Sequence, residues 1–166
     1  MAEQKTRNEE LTKLSEMVKD IEFAMLTTVD EDGTLRSRPM ATQQNEFDGD
    51  VWFFTYGSSH KIDEINRERQ VNLSYSAPDR QRYVSLSGVA ELVRDRRKME
   101  ELWNPTLKAW FPKGLDEPDI ALLKVNVTKA EYWDSPSSTV AHAVGLVKSL
   151  VTGTAYDAGE NEKINL

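Results

Sequence analysis

The sequence predicts a mainly β fold with flanking helices, built as an antiparallel barrel or sandwich. Three observations carry that expectation. Strand-like runs are joined by tight turn signals, as where Asp32-Gly33 separates AMLTTV (24–29) from the run Leu35 to Ala41. Two long runs, RYVSLSGVAELV (82–93) and IALLKVNVTKAEYW (120–133), read as extended strands. The helical segments are inserted between hairpin-linked strands rather than alternating with every strand.

Taken in order, NEELTKLSEMVKDI (8–21) places Leu11, Leu14, Met17, Val18 and Ile21 at helical spacing, which predicts an amphipathic helix packed on one side. The hairpin 24–41 follows, with Pro39 expected at a sheet edge or bulge because proline cannot donate to a ladder. VWFFTY (51–56) is the most strand-like segment, and Gly57-Ser58-Ser59-His60 leads it into a short helix, KIDEINRERQ (61–70), with Ile62 and Ile65 inward. VNLSYSA (71–77) alternates as a strand, and Gly88 marks a bulge or close approach in the next one. DRRKMEELWNPTLKAWF (95–111) reads as a helix broken at Pro105. After the long strand 120–133, VAHAVGLVKSL (140–150) forms a last helix and residues 152–166 a polar tail.

Length and composition narrow the function classes. A chain of 166 residues, with 39% hydrophobic and 30% charged residues, suits one domain spanning 1–166 with a real core. No apolar run approaches the roughly 20 residues of a membrane helix, and the polar N-terminus is unlike a secretory signal, so the expected address is cytoplasmic. With no cysteine and two well-separated histidines, His60 and His142, no metal site or histidine-based triad is expected. A net charge of −7 argues against nucleic acid as a partner but leaves room for a local basic pocket.

Two segments could form such a pocket. On a strand, Arg36 and Arg38 share one face and Ser37 takes the other, and paired guanidiniums suit a phosphate, although exposed edge arginines are also common. Thr55-Tyr56-Gly57-Ser58-Ser59-His60-Lys61 joins a strand end to a helix start through small hydroxyl residues. Ser58 or Ser59 could simply cap the helix. Lys61 in the first turn opposes the helix dipole, which an anion at that position would explain. Most aromatic residues belong to the core, but Trp133 precedes Asp134-Ser135-Pro136 and should stand at a rim, where it could meet a flat cofactor.

Together the segments LRSRPM (35–40), VWFFTYGSSHK (51–61), YVSLSGVAEL (83–92), AWFPKGLDEPDIALLKV (109–125), AEYWDSP (130–136) and VTGTAYDAGENEKINL (151–166) resemble the FMN-binding split-barrel superfamily that includes pyridoxamine 5′-phosphate oxidase. Within it the chain is most similar to the bacterial general stress protein 26 group. The resemblance implies a split β-barrel and FMN at a homodimer interface. It carries cofactor-binding roles onto Arg36, Ser37, Arg38 and Pro39, onto Phe54-Thr55 and His60-Lys61 with Ser58 and Ser59 beside them, and onto Trp133. Tyr83 stands where the oxidases place a flavin-contacting glutamine, and Trp110, next to Phe111, is a candidate cover for the flavin or the interface. The oxidases' C-terminal Arg-Leu-x-Pro ending is replaced by Glu162-Lys163-Ile164-Asn165-Leu166, so oxidation of vitamin B6 phosphates is not expected. The expected function is FMN binding with flavin-dependent redox activity on an unidentified small molecule. A non-enzymatic FMN store or redox sensor, and a deazaflavin or haem protein on the same barrel, stay open as alternatives.

Overall fold

A computed structural model describes residues 2–43, 47–135, 139–155 and 159–166, with the side chains of 2–5 and 139–145 left aside. The elements run α1 (Ala2–Val18), β1 (Phe23–Val29), β2 (Leu35–Ala41), β3 (Asp50–Tyr56), α2 (His60–Arg67), β4 (Gln70–Ala77), β5 (Arg82–Val93), α3 (Arg96–Leu102), β6 (Ile120–Asp134), α4 (Thr139–Thr152) and β7 (Glu160–Asn165). Among the described residues seven antiparallel strands form one sheet in the order β2-β1-β4-β5-β6-β3, with β7 added to the far half of β6. The edge strands β2 and β3 approach one another, so the sheet curls into a half-barrel.

The alternation seen in the sequence becomes an inside and an outside. Ala24, Leu26, Leu73, Val84, Leu86, Leu123, Val125 and Tyr132 point inward and are buried. Leu14 and Met17 of α1, with Ile62 and Ile65 of α2, pack into the same core. A second apolar cluster joins Phe54, Leu122, Met99, Leu102, Leu107 and Phe111 beneath α3 and the short turn Pro105–Ala109. It holds that segment against β3, which matters for the site below.

The hairpin turns on Gly33 at φ +82°, a conformation that favours glycine. Pro39 lies on the edge strand β2, as expected. The β5–β6 register shifts between Ser87 and Gly88, and a Cβ at Gly88 would lie 2.2 Å from the Asn126 carbonyl oxygen, so the bulge requires a glycine.

Three expectations are corrected. The first helix spans Ala2–Val18 rather than 8–21: good helix formers extend it backward, and Ile21 packs into the core from beyond its end. The final helix is slightly longer, Thr139–Thr152. The supposed polar tail contains β7, in which Ile164 is buried at 3% exposure and the Tyr132 hydroxyl lies 2.8 Å from Glu160 and 2.7 Å from Glu162. Its carboxylates are thus used structurally, which an acidic composition conceals. Among the described residues no helix is long and apolar enough to cross a membrane.

Candidate functional site

The turn from β3 into α2 and the face of β2 beside it enclose a pocket of about 270 Å³. Pro39, Phe54, Thr55, Lys61 and Trp110 line it, together with Phe23 from β1. The structure therefore gathers five of the residues singled out from sequence, drawn from three separate segments. Thr55 is buried, and its Oγ1 lies 3.4 Å from Ser59 Oγ, which in turn accepts a hydrogen bond from Lys61 Nζ at 3.0 Å.

Ser59 occupies the N-cap position of α2, yet its side chain makes no cap hydrogen bond. The plain capping role for this serine is not what the geometry shows. Lys61 is half-buried, and among the described residues no carboxylate oxygen lies within 4.0 Å of its Nζ. Burial pushes its ammonium below the ordinary lysine range; the nearby Arg38 charge acts the same way, and Glu64 only partly opposes them. This is a desolvated cation without a direct counter-ion, which a bound anion would satisfy.

The two strand arginines share a face but have different partners. Arg38 Nη2 donates to Glu64 Oε2 at 2.8 Å, while Nη1 donates to the Thr28 hydroxyl, and that hydroxyl donates to the same carboxylate oxygen. Glu64 is wholly buried. Burying such a pair costs several kcal/mol of hydration, so the network must be well made to persist; it fixes the direction of Arg38. Arg36 instead pairs with Asp30 at 2.9 Å and is half-exposed. That bond and the Glu31 N–H hold the Asp30 carboxyl below its ordinary range.

The other candidates fall elsewhere. Ser37 faces away, with its hydroxyl 2.7 Å from that of Thr27. Ser58 donates from both its N–H and its hydroxyl to Asp119, so it tethers the turn to the start of β6 rather than presenting free donors. His60 Nε2 lies 3.4 Å from Glu64 Oε1. Tyr83 and Trp133 oppose each other across β5 and β6, both about 40% exposed, and neither lines the pocket. By strand alternation they share the outer sheet face with Phe23, Met25 and Leu35, which are also exposed.

Sequence reasoning missed several wall residues. Phe23, Met40, Ala41, Tyr56 and Leu107 line the pocket, and Tyr56 donates from its hydroxyl to the Trp110 carbonyl at 3.0 Å, closing the wall. Phe23 and Trp110 meet edge to face at 6.2 Å. Of the pocket's aromatic residues, Phe54, Trp110 and Phe111 are the ones legible in the sequence. The roles of Asp30, Thr28 and Glu64 left no sequence signal, because each depends on a contact between distant segments.

Comparison with known proteins places the chain in a family and agrees with the fold. Residues 9–157 match the model of the family described as pyridoxamine 5′-phosphate oxidase like. Protein bli-3 of Neurospora crassa is 30% identical over 156 residues, covering 88% of this chain and 75% of bli-3. The general stress FMN/FAD binding protein of Xanthomonas citri is 30% identical with a TM-score of 0.67, over 78% of this chain and 92% of that one. A Clostridium acetobutylicum protein related to general stress protein 26 shares the fold, with a TM-score of 0.71 at 18% identity, over 95% of each chain.

Proposed function

The chain belongs to the pyridoxamine 5′-phosphate oxidase-like family of split barrels, and from that premise we propose that it is an FMN-binding protein of the general stress protein 26 group. The observation that carries the proposal is Lys61, a desolvated cation beside Ser59 and Arg38 with no direct carboxylate partner among the described residues. An FMN phosphate supplies the missing anion. Lys61 and Ser59 would hold it, and Arg38, kept in place by Glu64 and Thr28, would add positive charge at its side.

The pocket fits the rest of the cofactor in chemical kind. Beyond the polar end its walls are Pro39, Phe54, Phe23 and Trp110, apolar and aromatic, as a flat heterocycle requires. Bound FMN supplies one- and two-electron redox chemistry, while the protein supplies binding, orientation and electrostatics. The chain's contribution is to anchor the phosphate, to limit water with Phe23 and Trp110, and to keep Thr55 buried beside the polar end.

Two further elements complete the reading. The outer sheet face carrying Phe23, Met25, Leu35, Tyr83 and Trp133 forms a homodimer interface, which gives Tyr83 and Trp133 a place at the partner's flavin. On this reading a vitamin B6 phosphate is not the expected substrate, because Lys163, near Glu160 and Glu162, is a poor substitute for a bidentate guanidinium. Mass spectrometry of the cofactor released from the purified protein tests the central assignment. FMN at about one per chain supports it; deazaflavin, haem or no released cofactor, with added FMN not retained, overturns it.

A further inference from the structure

We propose that Asp30, His60 and Glu64 form a binding site for a divalent transition-metal cation, one imidazole nitrogen with two carboxylate oxygens. The sequence predicts no metal, because its two histidines are far apart and Asp30 is thirty residues from the helix that completes the set. Folding brings the end of β1 against the first turns of α2. There Asp30, His60 and Glu64 each offer a donor atom, all within 4.8 Å of one another. His60 and Glu64 are four residues apart on one helix, a spacing that stacks them on the same side.

The arrangement of the carboxylates is the main argument. Glu64 spends Oε2 on Thr28 and Arg38 and leaves Oε1 buried without a hydrogen-bond partner, aimed at His60 Nε2 3.4 Å away. Asp30 likewise gives Oδ2 to Arg36 and turns Oδ1 toward the same space, 4.0 Å from His60 Nε2. Oδ1 accepts the Glu31 N–H at 2.7 Å and faces Arg67 at 3.8 Å, which leaves it one lone pair. Arg36 and Arg38 therefore neutralise and orient the carboxylates from behind while the remaining oxygens converge. Asp63 lies 4.0 Å from His60 Nδ1, within a side-chain rotation of the hydrogen bond that would orient a metal-bound imidazole.

The geometry needs only a modest contraction. Metal–ligand bonds of about 2.0–2.2 Å place neighbouring donors roughly 3.0–3.5 Å apart. The His60–Glu64 distance already meets this, and His60 is 65% exposed, so its ring can move toward Asp30. Nearby charges are balanced, with Asp30, Glu31, Asp63 and Glu64 against Arg36, Arg38, Lys61 and Arg67. Such a nitrogen and oxygen set suits Zn²⁺ or Mn²⁺ rather than Mg²⁺ or Ca²⁺. All three donors come from the chain itself, so the site does not depend on the flavin assignment.

The experiment is calorimetric titration of Zn²⁺ into the full-length protein after removal of metal with a chelator, with and without saturating FMN. One saturable site per chain is expected, weakened by at least about tenfold in His60→Ala and in Asp30→Asn. The variant His142→Ala, which removes the other histidine, should bind as the native chain does. Co²⁺ in place of Zn²⁺ should give visible absorption bands that His60→Ala abolishes. Failure of Zn²⁺ to bind, or affinity unchanged in His60→Ala, overturns the site, whatever happens to FMN. His60→Ala and Asp30→Asn alter half-exposed or partly exposed groups; retained thermal unfolding would show that any loss is not a folding defect.

Discussion

Replacing Lys61 with methionine should move affinity and stability in opposite directions. The substitution keeps most of the aliphatic stem and removes the ammonium. In the unliganded protein that ammonium is half-buried, has Ser59 Oγ at 3.0 Å as its hydrogen-bond partner, and is pushed downward in pKa by burial and by Arg38. Its charge is therefore a cost to the free fold, and removing it should stabilise the ligand-free protein by about 0.5–1 kcal/mol. For a domain of this size that raises the unfolding midpoint by about 2 °C. In the proposed FMN complex the same group would make a charged hydrogen bond to the phosphate, worth about 1.5–3 kcal/mol. Its loss corresponds to roughly 10- to 150-fold weaker FMN binding. Fluorescence titration of FMN, paired with calorimetry of the flavin-free protein, reads both quantities. An FMN affinity within about threefold of the native value would refute the reasoning, since Lys61 would then not face the phosphate.

Three other outcomes follow from the fold. Gly88→Ala places a Cβ 2.2 Å from backbone at Asn126, and should destabilise the protein by about 2–3 kcal/mol in chemical denaturation. Ile164→Ala should cost about 2–4 kcal/mol by the same measurement, because β7 is anchored through that buried side chain; an unchanged midpoint would mean the terminal strand is not docked. Asp119 has its carboxyl lowered by hydrogen bonds from Ser58 and by Arg94, so its contribution is present above the unfolded value of 3.8 and is lost only as pH falls through the lower folded value. A carboxyl resonance titrating below 3.8 by NMR checks this, and its titration at or above 3.8 would contradict it.

The sequence spoke most clearly where structure is local. Alternation in 82–93 and 120–133, the Asp32-Gly33 turn and the small-residue turn before Lys61 are set by neighbours in the chain, and their residues stand where the pattern puts them. The site was legible only in part. Thr55, Ser59 and Lys61 belong to one turn and could be read together, and the likeness to a known family brought Pro39, Phe54 and Trp110 beside them. The division of labour between Arg36 and Arg38 was not readable, because it is decided by Asp30 and by Glu64, whose position in KIDEI resembles an ordinary solvated face. β7 was hidden for a similar reason: its acidic residues are exposed or bonded to Tyr132, and only Ile164 turns inward.

The most direct measurement is the affinity of FMN set against that of riboflavin, which has the same ring and side chain without the phosphate. If Lys61, Ser59 and Arg38 hold the phosphate, riboflavin should bind at least about 100-fold more weakly, the equivalent of about 2.7 kcal/mol, and Lys61→Met should leave the riboflavin affinity nearly unchanged. Equal affinities for the two flavins would contradict the account, because the half-buried cation at the pocket's polar end would then have no part in holding the cofactor.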